Sequence, residues 1–167
     1  MLNIQAKKAL TVSLIHKMQD AGSWTGETHI QKCTYFLEDF FDIDLDYEFI
    51  LYKHGPFSFD LRDELGALRA DDFIVMEPRR PFGASFKPGK RADLLENKYN
   101  DLIREYEGKL GFIVNKLANR SVKELEKVAT ALYVRKTEGL TDNFEIAKKI
   151  IELNMLVLRM LSLQLRS

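Results

Sequence analysis

Apolar residues recur every three or four positions over most of the chain, the period at which one face of an α-helix is buried. The pattern covers residues 3–20, 28–41, 58–70, 99–117 and 121–139. Ser58 can cap the third of these stretches, because its hydroxyl can accept from free amides. Ser121 with Glu124, and Thr28 with Gln31, have the spacing of a capping box. The chain is therefore predicted to be mainly helical.

Other segments favour β-strands. Residues 47–52 are rich in aromatic and branched side chains. Gly55-Pro56 is expected to end that strand, because proline lacks the N–H that a strand ladder needs. Residues 73–76 and 84–87 are expected to pair as an antiparallel hairpin, with prolines at its margins that protect an exposed edge.

The order of these elements predicts an α+β fold that is mainly helical. Residues 1–92 are expected to form a winged-helix-like α+β unit in which the short hairpin is the wing. Residues 93–167 are expected to form a helical bundle packed on that unit. A chain of 167 residues can bury a substantial core, so both parts fit one compact domain.

Composition narrows the classes of function. Lysine plus arginine and aspartate plus glutamate both number 25, so no global field attracts nucleic acid or an anionic membrane. Cys33 is the single cysteine, which excludes an intramolecular disulfide and fits a reducing compartment. The N-terminus lacks the apolar core of a signal peptide, and no apolar stretch is long enough to span a bilayer. We therefore expect a cytoplasmic protein without membrane contact.

Basic residues concentrate around the predicted hairpin. Residues 79–91 contain no acid and five basic residues, which are Arg79, Arg80, Lys87, Lys90 and Arg91. These side chains are candidate contacts to a nucleic-acid backbone or another anion. Charge and proline on an exposed edge also serve simply to prevent aggregation. The preceding helix argues against DNA, because Asp60, Asp63 and Glu64 would repel phosphates.

Acidic residues concentrate in residues 38–48, which contain no basic residue. Three aspartates at every second position resemble the opening of a calcium loop, but the later positions of such a loop are not matched. The segment is instead a candidate contact surface for a basic partner or a second subunit. The candidate partner surface, which includes the neighbouring loop, comprises Asp42, Asp44, Asp46, His54, Gly55 and Pro56.

No catalytic, cofactor or metal site is predicted. His29 and Cys33 lie four residues apart on one helix, but zinc normally needs three or four protein ligands. Cys33 also falls on the apolar face of its helix, where a thiol is usually inert. The sequence has no Gly-rich phosphate loop and no nucleophile elbow.

The apolar run Met155–Leu165 contains a single charge, Arg159, and two interpretations of it remain open. A helix that is apolar on every side is usually buried in the core. An uncovered helix of this kind would instead be a surface for self-association.

Three segments carry a resemblance to a group of prokaryotic proteins. The segments are residues 30–37 (Ile-Gln-Lys-Cys-Thr-Tyr-Phe-Leu), 52–58 (Tyr-Lys-His-Gly-Pro-Phe-Ser) and 121–133, in which Leu-Glu precedes Ala-Thr. In order and content they resemble the YwgA-like phage-associated proteins and, more distantly, the SocA-like or Panacea antitoxin domains. The chain departs from that group at Cys33, where the group favours Leu, and it lacks the Pro-containing break that often divides the last two helices.

The resemblance implies a non-enzymatic helical and winged-helix-like module that binds a toxin or another protein. We therefore hypothesise that the chain is a non-enzymatic protein-interaction module of an antitoxin-like or phage-associated type. The alternative is a winged-helix DNA-binding transcriptional regulator that uses the basic hairpin, residues 79–91. The two hypotheses differ in salt dependence, because binding to DNA phosphates weakens steeply as salt rises.

Overall fold

A computed structural model describes residues 2–81, 83–142, 145, 148 and 149. In this part of the chain the fold is α+β and mainly helical, as predicted. None of the helices described combines the length and the apolar character that crossing a membrane requires. The run Met155–Leu165, predicted to be a core helix or a self-association surface, lies outside the described residues.

Two pairs of short strands interrupt a series of helices along the described residues. The helices are α1 (Ile4–Asp20), α2 (Glu27–Asp39), α3 (Phe59–Ala70), α4 (Ala92–Lys98), α5 (Asn100–Leu117) and α6 (Val122–Glu138). The strands are β1 (Ile50–Tyr52), β2 (Gly55–Phe57), β3 (Ile74–Arg79) and β4 (Gly83–Pro88). β1 pairs antiparallel with β2, and β3 pairs antiparallel with β4, so these strands form two separate hairpins.

The predicted helix starts are confirmed at α3 and α6. Ser58 Oγ accepts a hydrogen bond from the Leu61 amide at 3.2 Å. Before α6, the Glu124 amide donates to Ser121 Oγ at 3.3 Å, and the Ser121 amide donates to Glu124 Oε2 at 3.0 Å. These reciprocal bonds satisfy amides that have no partner inside the helix. At its other end α6 stops at Gly139, which adopts the left-handed conformation typical of helix ends.

The capping box predicted at the start of α2 is wrong. α2 begins at Glu27, directly after Gly26, so Thr28 lies inside the helix and cannot cap it. The Gln31 side chain does not reach back to the helix start, because it bonds instead to the backbone of Ser58.

The predicted strand does end at Tyr52, but the expectation that Gly55-Pro56 lies outside a strand is wrong. Both residues belong to β2, in which Gly55 lies opposite Tyr52 and Phe57 lies opposite Ile50. A two-stranded hairpin leaves one side of each strand without a ladder, so a proline can be accommodated there. The predicted hairpin of residues 73–76 and 84–87 is confirmed and is longer than predicted, because β3 and β4 pair from Ile74–Pro88 to Arg79–Gly83.

The core is centred on α1 and α2. α4, α5 and strand β4 pack against α1, while α5 and α6 pack against α2. Ile4, Phe40 and Val128 belong to the apolar pattern with helical spacing, yet they are exposed, to 62%, 52% and 40%. Phe40 follows the end of α2, and its ring stacks on Phe112 at the surface. In α6, Leu125 and Ala129 supply the core contact.

α2 and α6 run side by side in the same direction. Three contacts follow one another along both helices. The His29 ring bonds to the Arg120 carbonyl at 3.0 Å, the Tyr35 and Tyr133 rings lie 6.4 Å apart, and Lys136 pairs with Asp39. This parallel pair forms the frame against which the β1–β2 hairpin is held.

Candidate functional site

The β1–β2 hairpin and the start of α3 are joined to α2 by the Gln31 side chain. Gln31 Nε2 donates to the Ser58 carbonyl at 2.8 Å, and Gln31 Oε1 accepts from the Ser58 amide at 2.9 Å. All of these atoms are buried, so the two hydrogen bonds satisfy groups that water cannot reach. The same Ser58 caps α3, so one glutamine fixes where the hairpin ends and the helix begins.

Lys32 is a buried cation beside this contact. Its side chain is only 1% exposed, and Nζ donates to the Pro56 carbonyl at 2.6 Å. Burial lowers the pKa of Lys32 to about 8, and the nearby Glu126 carboxylate partly opposes that shift. A buried ammonium is costly unless it is paired and hydrogen-bonded, so the carbonyl and Glu126 together account for its tolerance here.

Gly55 and Pro56 were predicted to belong to a partner surface, but both are buried. Gly55 has a φ of +86°, and a Cβ at this position would lie 2.5 Å from Thr130 Oγ1 on α6. Glycine is therefore required both by its backbone conformation and by the close approach of α6. We name this internal contact between α2, β2 and α6 the Gly-Pro joint; it comprises Gln31, Lys32, Gly55, Pro56, Ser58 and Thr130.

Each of the three segments that carry the sequence resemblance contributes at least one residue to the Gly-Pro joint. Residues 30–37 supply the glutamine and the lysine, residues 52–58 supply the loop, and residues 121–133 supply the threonine. His54 also belongs to the second segment, but its side chain is exposed, and its Nδ1 lies 3.3 Å from Glu126 Oε1. The resembling segments thus form one contact in space.

A pocket of about 220 Å³ opens beside the Gly-Pro joint. Its walls are formed by Glu27, Thr28, Lys32, Tyr52, Lys53, His54, Gly55, Phe57 and Arg62. Lysine and arginine outnumber carboxylates in this wall, although Arg62 Nε pairs with Glu27 Oε1 at 2.8 Å. The pocket therefore suits an acidic group more than a basic one.

Aromatic side chains cover the rim of this pocket. Tyr52 and Phe59 are 43% and 44% exposed, and their ring centroids lie 5.5 Å apart. Both rings contact Phe57, and the Arg62 guanidinium lies 4.8 Å from the centroid of the Phe57 ring. We name this region the aromatic-basic surface; it comprises Tyr52, Lys53, His54, Phe57, Phe59 and Arg62.

Sequence reasoning missed most of the aromatic-basic surface. It assigned Tyr52 to a strand, placed Phe57 only in a segment that carries the resemblance, and named neither Phe59 nor Arg62 as a contact residue. A signal was present, because three aromatic residues and an arginine occur within residues 52–62. Only the turn between β1 and β2 brings their rings together on one surface.

The basic residues of the predicted hairpin do not form one free patch. Lys87 pairs with Glu77 on the facing strand, and the Arg79 guanidinium lies 5.3 Å from the Trp24 ring. Arg91 donates to the Asp71 carbonyl at 3.2 Å at the far end of the hairpin.

Arg80 and Lys90 are both exposed, one near the tip of this hairpin and one near its base. The positive charge is thus spread along the hairpin.

The acidic segment presents its aspartates on one side. Ile43, Leu45 and Tyr47 are buried, whereas the residues between them are exposed. The predicted surface residues Asp42, Asp44 and Asp46 therefore all face outward. Asp46 lies 3.8 Å from the Lys7 ammonium, so part of this charge is compensated within the chain.

His29 has a hydrogen-bond partner within the fold, and Cys33 lies in the buried core. The His29 ring bonds to the Arg120 carbonyl, and burial lowers the pKa of His29. Cys33 is buried, and burial raises the pKa of its thiol to about 12. Among the residues described, no cluster of three or more histidine, cysteine, aspartate or glutamate side chains has the arrangement to hold a metal ion.

A comparison with protein-family models finds no match for this chain, and a comparison with curated proteins finds none. The resemblance to YwgA-like proteins and to SocA-like or Panacea antitoxin domains stays a prediction. The geometry of the Gly-Pro joint and of the aromatic-basic surface is therefore the basis for the functional argument.

Proposed function

We propose that this chain is a non-enzymatic protein-interaction module of the antitoxin-like or phage-associated type, and that it binds an acidic segment of a partner protein at the aromatic-basic surface. The observation that carries the proposal is the cluster formed by the exposed Tyr52 and Phe59 rings and the half-buried Phe57 ring, with Arg62 stacked on Phe57, at the rim of a basic pocket. A toxin is one partner of this kind.

The composition of this surface supports binding to a protein. Aromatic residues and arginine are enriched in protein interfaces and dominate their energetic hot spots. The rings are already ordered by contact with one another, so little side-chain freedom is lost when a partner covers them. The Gly-Pro joint fixes the backbone beneath them through buried hydrogen bonds.

The positive charge of the pocket favours a partner that carries an acidic side chain. Lys53 and Arg62 stand at its wall, and Lys32 lies at its inner side. An aspartate or glutamate of the partner would pair with Lys53 and Arg62 while a neighbouring apolar side chain packs on the rings. A hydrogen-bonded pair with a charged group is worth about 1.5–3 kcal/mol.

A random-peptide display library panned on the full chain tests the proposal, with the Tyr52→Ala, Phe59→Ala double variant used for counter-selection. We expect the enriched peptides to place an acidic residue next to an apolar one. Circular dichroism of each variant verifies that it is folded. Enrichment of peptides that bind the double variant equally well would overturn the proposal.

Matched variants then locate the binding of an enriched peptide. Phe59→Ala is expected to weaken it at least about tenfold, whereas Phe112→Ala is expected to change it less than about twofold. The two phenylalanines are equally exposed, at 44% each. Arg62→Glu is expected to abolish measurable binding, and Arg69→Glu, the same charge reversal on α3 outside the pocket, is expected to have little effect. Equal losses within either pair would contradict the proposed surface.

The second candidate function is a winged-helix DNA-binding transcriptional regulator. It is favoured by the exposed Arg79, Arg80 and Lys90 along the β3–β4 hairpin, which follows α3 in the chain. The neutralisation of Lys87 by Glu77 weakens it. Exposed aspartates on α3 weaken it further, because that helix would have to face phosphates.

Fluorescence anisotropy of a labelled DNA duplex, titrated at about 50 mM and about 200 mM salt, separates the two candidates. A regulator should lose affinity steeply between these conditions. It should also bind far more weakly when Arg79, Arg80 and Lys90 are replaced by alanine. No binding at the lower salt concentration would exclude the DNA alternative.

A further inference from the structure

A second pocket lies between the C-terminal halves of α2 and α6 and the segment that precedes β1. Its volume is about 260 Å³. It is lined by Tyr35, Glu38, Asp39, Tyr47, Phe49, Tyr133, Lys136 and Thr137. None of these residues belongs to the aromatic-basic surface, so this pocket is a separate feature of the molecule.

Four aromatic rings form the walls of the second pocket. The Tyr35 and Phe49 ring centroids lie 5.0 Å apart at an interplanar angle of 63°. Tyr133 lies 6.4 Å from Tyr35, and Tyr47 lies 6.4 Å from Phe49. Aromatic faces attract cations, and the Lys7 ammonium already lies 4.9 Å from the centroid of the Tyr47 ring.

One buried carboxylate oxygen in this pocket, Glu38 Oε2, has no hydrogen-bond partner among the described residues. Tyr35 is fully buried, and burial together with the neighbouring Asp39 carboxylate raises the pKa of its hydroxyl. Glu38 Oε1 accepts from the Tyr47 amide at 3.1 Å, but Glu38 Oε2 is buried without a partner. A buried polar atom without a partner costs free energy. A ligand that donated a hydrogen bond to Glu38 would remove that cost.

We propose that the second pocket binds an alkylammonium group, in which the rings of Tyr35, Tyr47, Phe49 and Tyr133 surround the cation and the Glu38 carboxylate balances its charge. Lys136 already demonstrates that an ammonium fits at the edge of the pocket, where it pairs with Asp39. The site takes either a free organic amine or the lysine side chain of a polypeptide. The inference is independent of the acidic-segment binding proposed above.

The surroundings of Glu38 predict how binding depends on pH. The groups that face Glu38 are Asp39, Lys7, Lys136 and the backbone amides of Asp46 and Tyr47. Burial is the strongest influence and raises the pKa of Glu38 to about 7. A cation binds the charged carboxylate, so affinity is expected to rise about tenfold from about pH 6 to about pH 8.

Isothermal titration calorimetry on the full chain tests the proposal with three probes. Choline and Nα-acetyl-lysine methylamide, in which the ε-ammonium is free, carry the cation. The third probe is the neutral isostere of choline, in which carbon replaces the charged nitrogen. We expect either cation to bind at least about tenfold more tightly than the neutral isostere. Tighter binding of choline would identify a small quaternary amine as the natural class, and tighter binding of the lysine amide would identify a lysine side chain.

Glu38→Gln is expected to weaken cation binding at least about tenfold and to remove its pH dependence. Glu48→Gln, an exposed residue of the same acidic segment outside the pocket, is the matched control and should bind as the wild type does. Tyr133→Leu is a second variant that keeps an apolar wall and removes one ring, so it too should weaken binding. Equal binding of cation and isostere, or full binding by Glu38→Gln, would overturn the proposal.

Discussion

At Gly55 both the backbone conformation and the packing against α6 require glycine. Its φ is +86°, and a Cβ there would lie 2.5 Å from Thr130 Oγ1. Gly22 has a comparable φ of +76°, but a Cβ there would meet no atom within 4 Å. Comparison of the two positions separates the strain of a left-handed backbone from the cost of a collision with α6.

Gly55→Ala is expected to lower the free energy of unfolding by about 3 kcal/mol, because strain and overlap both contribute. Gly22→Ala is expected to lower it by only about 1 kcal/mol, because strain acts alone. Urea unfolding of both variants measures these values. Equal losses would contradict the close approach of β2 to α6.

Lys32 is a residue whose protonation should affect stability. Its pKa falls from the ordinary 10.5 to about 8 in the folded chain. Between these values the unfolded chain binds more protons than the folded chain does, so stability is expected to rise with pH across that window. Below about pH 8 both states carry the charge, and Lys32 adds no further pH dependence.

The free energy of unfolding of the wild type minus that of Lys32→Met should therefore increase from about pH 8 to about pH 10.5. Denaturant unfolding at several pH values measures this difference and cancels the titration of other groups. Lys53→Met, which removes an exposed lysine of the neighbouring pocket, controls for the loss of one positive charge. A difference that stays flat across the window would mean that Lys32 is not buried as an ammonium.

At the scale of elements, the sequence predicts well where a helix start depends on residues within one turn. Ser58 and Ser121 bond to amides three residues ahead, so their role follows from local chemistry. The start of α2 depends on distant contacts instead. The Thr25 carbonyl, just before that helix, accepts from the Phe86 amide of β4 at 2.9 Å, so packing fixes the position at which α2 begins.

Two substitutions test this difference between α6 and α2. Ser121→Ala is expected to cost about 1 kcal/mol of unfolding free energy, because it removes the cap of α6. Thr28→Ala is expected to change stability by less than about 0.5 kcal/mol, although its sequence context also matches a capping box. Thermal and urea unfolding provide the comparison. A loss at Thr28 as large as that at Ser121 would restore the capping role that the sequence indicates.

The β1–β2 hairpin could not be predicted from local sequence. Gly55 and Pro56 both have low strand propensity, and each is more common in turns. They form a strand here because Lys32 bonds to the Pro56 carbonyl and α6 packs against Gly55. Tertiary contacts override local preference at this point, and they are also the contacts that orient Tyr52 and Phe57.

At the scale of the whole molecule, ion pairs compensate part of the charge in the patches that the sequence predicts. The basic hairpin contains no acid in its own residues 79–91, yet Glu77 neutralises Lys87 across the strands. Asp46 in the acidic segment likewise lies near Lys7 of α1. Such partners are separated in sequence, so a charge count along the chain cannot find them. The exposed aromatic cluster depends on topology in the same way.

Amide hydrogen exchange of the full chain, with and without a peptide enriched on it, tests the central claim most directly. Binding at the aromatic-basic surface should slow exchange in residues 50–62 and leave the β3–β4 hairpin unchanged. Phe59→Ala should remove that protection, and Phe112→Ala should preserve it. Slowed exchange confined to residues 79–91, or no protection of residues 50–62, would contradict the account.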